Sequence, residues 1–277
     1  MLPNPLFYVF GNGVNLYGIS IAVGILVCII VLFLYLTKKQ VPQKLQDFIF
    51  FVGVIAIAIG FLFAKLYQAV YTWIDTGVFD FYSAGMTVMG GLIGGAVSFL
   101  LCYFIGGIFV FKGKEDKLHI KYFGDLLSVA PCCIAVAHAF GRIGCLMSGC
   151  CHGTYLGQSY VFGGIWMKGV ANGWGYYIPT QLYESLFLFA LFAVLSICYF
   201  KRVNIVLSIY LIAYGIWRMF IEFFRGDYLG EIIPNTITPS QWQSIIFILI
   251  GVAIIVFYLI RRIPLKLPPL KETEKKK

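Results

Sequence analysis

Residues 214–225 read YGIWRMFIEFFR, two arginines and a glutamate set into a segment otherwise apolar enough to lie in a bilayer. At a helical 100° per residue, Tyr214, Arg218, Glu222 and Arg225 fall at about 0°, 40°, 80° and 20°, so all four share one face. An ionisable group near the bilayer centre costs at least about 2.5–3.5 kcal/mol. Such a face therefore turns to a protein interior or a watery cavity, and it marks a functional site.

The rest of the chain supplies the membrane context. Of 277 residues, 60% are hydrophobic and 12% charged, which excludes an ordinary soluble globule. Apolar runs of about 20 residues, the length that crosses a hydrocarbon core, lie near 17–36, 48–71, 89–111, 123–144, 179–200, 204–224 and 239–260. The expected fold is all-α, a polytopic integral membrane protein of about seven transmembrane helices. The domain expected is a single transmembrane one over 1–264, followed by a basic cytoplasmic tail, 265–277, expected to be disordered. The start MLPNPLFYVF lacks a basic region ahead of an apolar core, so the first span is expected to be a retained anchor.

Short cytoplasmic loops accumulate lysine and arginine. Lys38, Lys39 and Lys44 follow the first run; Lys112, Lys114, Lys117 and Lys121 the third; Lys201 and Arg202 the fifth. Arg261, Arg262, Lys266, Lys271, Lys275, Lys276 and Lys277 follow the seventh. With seven spans these all fall on one side, giving an outside N-terminus and a cytoplasmic C-terminus. Orientation thus accounts for the formal charge of +9, which carries no argument for nucleic acid. Five basic residues remain: Lys65, Arg142, Lys168, Arg218 and Arg225. Cations drawn into a membrane from several helices point to an anionic ligand such as a phosphate. The structural alternatives are pairing with Glu184 or Glu222 and, for Lys65, snorkelling.

Three further segments carry candidate chemistry. AGMTVMGGLIGG, 84–95, places Gly90 with Gly94, and Gly91 with Gly95, at the spacing that lets helices approach closely. It reads equally as a broken helix start whose free N–H groups bind an anionic headgroup. HAFGRIGCLMSGCCHG, 138–153, sets His138, Arg142 and Cys145 on one face ahead of Cys150, Cys151 and His152. It admits an anion site, a metal site or a redox disulfide, but C-x4-C-C-H matches no familiar finger or CxxC pattern, and neither metal nor cofactor is expected. IPTQLYESLF, 178–187, opens a span with Pro179, a common first helical residue, and sets Gln181 and Glu184 at i, i+3.

Together these segments resemble the phosphatidylglycerol–prolipoprotein diacylglyceryl transferase family. LYGISIAVG at 16–24 looks like its first-helix motif, AKL at 64–66 is similar to its ARL, and GMTVMGGLIG at 85–94 to its GMSFHGGLIG. GRIG at 141–144 lies in the family signature, PTQLYE at 179–184 is similar to its PSQLYE, and YGIWRMFIEFFR follows its last signature helix. The chain departs at three places: Met89 stands for the histidine of the FHGG motif, Cys145 for the asparagine after GRIG, and Cys150 for an acidic residue.

The resemblance implies transfer of an sn-1,2-diacylglyceryl group from phosphatidylglycerol to the lipobox cysteine thiol of a prolipoprotein, releasing glycerol phosphate. The setting would be a multi-pass protein of the bacterial plasma (inner) membrane, among membrane lipids. Carried over by motif, Arg142 and Arg218 would bind the phosphate, Glu222 would orient Arg218, and Tyr17 and Tyr214 would position polar atoms. Met89 cannot accept the thiol proton, so the candidate bases are His138, His152, Glu222 or a nearby thiolate. Lys65, Gly90, Gly91, Gly94, Gly141, Gly144, Gln181, Glu184 and Arg225 would bind substrate. The competing classes are a non-transferase membrane protein using its cysteines for thiol redox or metal binding, and a lipid transferase with another acceptor.

Overall fold

The computed structural model describes residues 7–9, 12–82, 85, 87–112, 117–169, 172–226 and 237–266. The tail beyond 266, Lys114 and the Met89 side chain lie outside the described parts.

The elements in chain order are β1 (Phe7–Val9), β2 (Asn12–Val14), α1 (Leu16–Lys38), α2 (Gln43–Thr76), α3 (Val88–Val110), α4 (Leu118–Lys121) and α5 (Phe123–Ser148). They continue with β3 (Tyr155–Gly157), β4 (Ile165–Gly169), β5 (Gly173–Tyr177), α6 (Thr180–Phe200), α7 (Val206–Glu222) and α8 (Pro239–Ile260). Among the described residues, six helices are long and apolar enough to cross a membrane: α1, α2, α3, α5, α6 and α8. The run expected at 204–224 forms α7, whose 17 residues include Arg218 and Glu222.

The chain divides into two compact units, Phe33–Leu126 and the pair of segments Met1–Leu32 and Leu127–Lys277. In the first, α2 and α3 approach through glycine. A Cβ on Gly94 would stand 2.3 Å from Phe63 Cβ, one on Gly90 2.5 Å from Tyr67 Cβ, and one on Gly60 3.1 Å from the Gly91 carbonyl. Small residues at such a crossing let backbones meet where no hydrophobic force drives helices together. Tyr103, fully buried, donates to the His119 carbonyl at 2.6 Å, and Lys39 pairs with Asp125 at 2.9 Å.

The other unit contains the segments 16–24, 138–153, 178–187 and 214–225. Gly24 lies against Ala137 and Phe140 of α5, and Gly144 against Tyr17 of α1. Gly215 and Gly251 bring α7 and α8 together, a Cβ at either meeting a carbonyl of the facing helix, Ser244 O at 2.9 Å and Ser208 O at 3.1 Å.

The glycine-rich loop between α5 and α6 contains a small antiparallel sheet of order β3-β5-β4, which the helical reading of the sequence does not anticipate. IWMKG and GWGYY are short alternating segments: Met167 and Tyr177 point inward and are fully buried, packed with Leu146, while Trp166 and Trp174 stay exposed. That alternation is the period of a strand with one covered face. The sheet is held where the site lies, since Gly153 N–H donates to Ile178 O at 2.8 Å and Thr154 N–H to Phe224 O at 3.0 Å.

Candidate active site

The centre of the site is a carboxylate at the start of α6. Pro179 precedes the helix, and its first turns turn Thr180, Gln181, Glu184 and Ser185 inward; Glu184 is 1% exposed. An isolated carboxylate at that depth would be unstable, and four groups compensate it. The Tyr214 hydroxyl donates to Oε1 at 3.0 Å. Arg142 Nε stands 3.1 Å from Oε2, Arg218 Nη1 3.7 Å from the same oxygen, and His138 Nε2 3.8 Å from Oε1. The Arg142 contact is close but poorly aligned, for its Nε–H makes no hydrogen bond among the described residues, so it acts as an ion pair. The His138 ring lies edge-on to Tyr214, centroids 5.2 Å apart.

A second carboxylate extends the chain of charges. Arg218, one turn before Glu222 on α7, places Nη2 3.0 Å from Glu222 Oε2 and donates from the same nitrogen to Ser240 Oγ at 2.7 Å. Arg225 Nε lies 3.7 Å from Glu222 Oε2. From the start of α8, Thr238 donates to Glu222 Oε1 at 2.9 Å. Thr238 is also the helix cap: its oxygen accepts from Gln241 N–H, and Gln241 Oε1 accepts from the Thr238 N–H. That reciprocal arrangement fixes the α8 entry, and with it Ser240.

Helices α5, α6, α7 and α8 thus converge on one network, in which three guanidinium groups face two carboxylates. Guanidinium exceeds carboxylate by one positive charge, held where water is scarce and Coulomb interactions are strong. A phosphate diester, with one negative charge, balances it.

The residues read from sequence fall into three groups. Arg142, Arg218, Glu222, Tyr214, His138, Glu184 and Arg225 come together in the network. Tyr17, 41% exposed, lies within electrostatic reach of Arg142 and of Cys145, Cys150 and Cys151. Gly144 lets α1 approach, while Gly141 has open space where a Cβ would stand. Lys65, Gly90, Gly91 and Gly94 lie in the Phe33–Leu126 unit, where Lys65 sits 5.3 Å from the Phe81 ring centroid and the glycines serve the α2–α3 approach. Ser240 and Thr238 escaped the sequence reading, although Thr238-Pro-Ser-Gln241 is a legible capping box.

Beside this network the chain turns sharply. Gly149, with φ +75°, ends α5: its N–H donates to Leu146 O, and the Cys150 N–H donates to Cys145 O. This is the Schellman closure, and it folds Cys150 back over Cys145. Cys151 follows with φ +59°, a region that non-glycine residues seldom occupy. Gln181 Nε2 donates to Cys150 O at 2.6 Å and the Thr180 hydroxyl to Cys151 O at 2.9 Å. The Sγ atoms of Cys145, Cys150 and Cys151 all lie within 4.8 Å of one another. Hydrogen bonds from Cys145, and after it Cys151, hold the Cys150 thiol well below the ordinary thiol range, against the opposing effect of burial. His152 lies apart, its Nδ1 2.9 Å from Gly153 O and its ring 4.4 Å from that of Tyr177.

Fold and site define a multi-pass membrane protein with a buried cationic centre. The chain belongs to the prolipoprotein diacylglyceryl transferase family, whose model matches residues 5–257. It is 32% identical over 257 residues to phosphatidylglycerol--prolipoprotein diacylglyceryl transferase 2 of Clostridium perfringens, covering 88% of this chain and 90% of that one. It is 31% identical over 256 residues to the transferase of Clostridium tetani, covering 89% and 94%. With the transferase of Staphylococcus aureus the identity is 34% over 263 residues, covering 91% and 87%.

Proposed function

We propose that this chain transfers the diacylglyceryl group of phosphatidylglycerol to the lipobox cysteine thiol of a prolipoprotein, releasing glycerol phosphate, in the bacterial plasma membrane. Its N-terminus lies outside and its C-terminus in the cytoplasm. Family membership and the names of the relatives support the reaction; the observation that carries the mechanism is the buried excess of guanidinium (Arg142, Arg218 and Arg225) over carboxylate (Glu184 and Glu222).

In the reaction the thiol loses its proton to solvent, its sulfur attacks the glyceryl carbon that bears the phosphate, and the C–O bond breaks with its electron pair going to the phosphate. The phosphate passes from one negative charge toward two. Arg142 and Arg218 meet that growing charge from fixed positions, so they hold the transition state more tightly than the substrate. Glu184 and Glu222 keep the two guanidinium groups from collapsing onto lipid or each other, and Tyr214 and Ser240 lock their partners. Tyr17 positions polar atoms of the headgroup.

Mass spectrometry of a lipobox peptide incubated with the purified protein and phosphatidylglycerol tests this, beside Arg142→Ala. A diacylglyceryl mass increase on the cysteine, lost in the variant, is expected. No adduct, where an authentic family member produces one, overturns the proposal.

A further inference from the structure

Cys145, near the end of α5, and Cys150 and Cys151, in the turn after it, have no role in the phosphate site assigned above. Gly149 and Cys151 both adopt left-handed backbone, a conformation that non-glycine residues seldom take. Two side chains of α6, Thr180 and Gln181, hold the carbonyls of Cys150 and Cys151 in place. The result is three sulfur atoms converging within 4.8 Å. A tetrahedral zinc site with Zn–S near 2.3 Å places its sulfurs roughly 3.8 Å apart, so closure onto an ion needs movements of about 1 Å or less. Beside the turn, Gln181 Oε1 is buried without a donor among the described residues, an acceptor for a coordinated water.

We propose that Cys145, Cys150 and Cys151 hold a zinc ion whose fourth position takes the acceptor thiol. Three thiolates select a soft ion, and three protein ligands with an open position are the pattern of a reactive rather than a structural zinc site. Zinc rather than copper or an iron–sulfur cluster suits a transfer that moves no electrons between metals and substrate. The role of the fourth ligand rests on the transferase reading. There the incoming thiol displaces zinc-bound water and releases its proton to solvent, because a coordinated thiol is deprotonated. Its sulfur then forms the bond to the glyceryl carbon as the C–O bond breaks, and the electron pair leaves with glycerol phosphate. Arg142, one turn before Cys145 on α5, places phosphate and thiolate on neighbouring turns of one helix.

Metal analysis of the purified full-length protein tests the site without reference to turnover. A single zinc ion per chain is expected, lost in Cys145→Ser, Cys150→Ser and Cys151→Ser and kept in Cys198→Ser. Replacement by Co²⁺ supplies a second readout that does not depend on a variant folding: thiolate-to-cobalt charge-transfer absorption should appear, and should shift when a lipobox-cysteine peptide is added. Zinc absent from the native protein, copper in its place, or zinc retained in all three serine variants overturns the site. Cobalt bound with no shift on adding the peptide overturns the role of the fourth position. Failure of the transferase reading is seen separately, as a zinc-loaded protein that gives no diacylglyceryl adduct.

Discussion

Arg142 Nε stands 3.1 Å from Glu184 Oε2, joining the last third of α5 to the first turns of α6 at a point where both side chains are nearly enclosed. Among the described residues, Glu184 is the one carboxylate that touches both Arg142 and Arg218. Removing its charge takes from Arg142 the carboxylate it faces and leaves Arg218 with Glu222. Glu184→Gln preserves the volume and the acceptor for Tyr214, so its loss is electrostatic. Breaking a buried pair costs about 3–5 kcal/mol, and a misplaced phosphate clamp lowers the rate about 10²-fold. Thermal unfolding in detergent and the rate of peptide diacylglyceration should both fall, with Glu184→Ala worse than Glu184→Gln.

Arg218 is used as a fork. Nη1 faces Glu184 while Nη2 reaches both Glu222 and Ser240. A lysine carries the charge but not the planar geometry: its three N–H donors radiate from one nitrogen, so it cannot span partners spread across two guanidinium nitrogens. Arg218→Lys should therefore resemble Arg218→Ala, each lowering kcat/KM for phosphatidylglycerol by about 10²–10³, the scale of losing one preorganised donor. Near-normal turnover in Arg218→Lys would show that a point charge suffices.

The helices and the charged face of 214–225 are legible in sequence because they are local properties, apolar length and a period of 3.6 residues. The central place of Glu184 is legible only in part, as one of two pairing partners open to the inward cations. At i, i+3 from Gln181 near a helix start it resembles a wetted end, and only folding brings Arg142 and Arg218, 42 and 34 residues away in the chain, onto its oxygens. The sheet between α5 and α6 is hidden for a different reason. Its strands are three to five residues long, and their glycines read as loop until Leu146 supplies the surface that Met167 and Tyr177 cover. The thiol cluster likewise needs the left-handed turn at Gly149 and Cys151, which C-x4-C-C spacing does not specify.

Gly141 and Gly144 separate packing from substrate contact within one signature. A Cβ at Gly144 would stand 3.0 Å from Tyr17 Cδ2 and 3.2 Å from its carbonyl, whereas one at Gly141 meets nothing within 4 Å. Gly144→Ala should destabilise by about 1–3 kcal/mol through overpacking. Gly141→Ala should keep or raise stability, since alanine is the better helix former by about 1 kcal/mol. If Gly141 lines the lipid pocket, KM for phosphatidylglycerol rises in that variant without any loss in the unfolding transition.

Thr238 couples the start of α8 to the charge network. Its hydroxyl donates to Glu222 Oε1 while its oxygen accepts from Gln241 N–H, so one side chain both caps the helix and holds the carboxylate that faces Arg218. Thr238→Ala removes both functions: the cap is worth about 0.5–2 kcal/mol, and a hydrogen bond to a charged group about 1.5–3 kcal/mol. Thr238→Ser keeps the hydroxyl and should restore most of each. The two contributions part in kinetics. A variant that has lost only the cap should unfold at lower temperature with kcat unchanged at temperatures where it remains folded. One that has freed Glu222 lets Arg218 shift and lowers kcat at every temperature. The second outcome is expected for Thr238→Ala, because Arg218 Nη2 contacts Glu222 and Ser240 together and both depend on the geometry of this turn. Unchanged kcat in a folded Thr238→Ala protein would mean that the arginine is held by Glu184 and Ser240 alone.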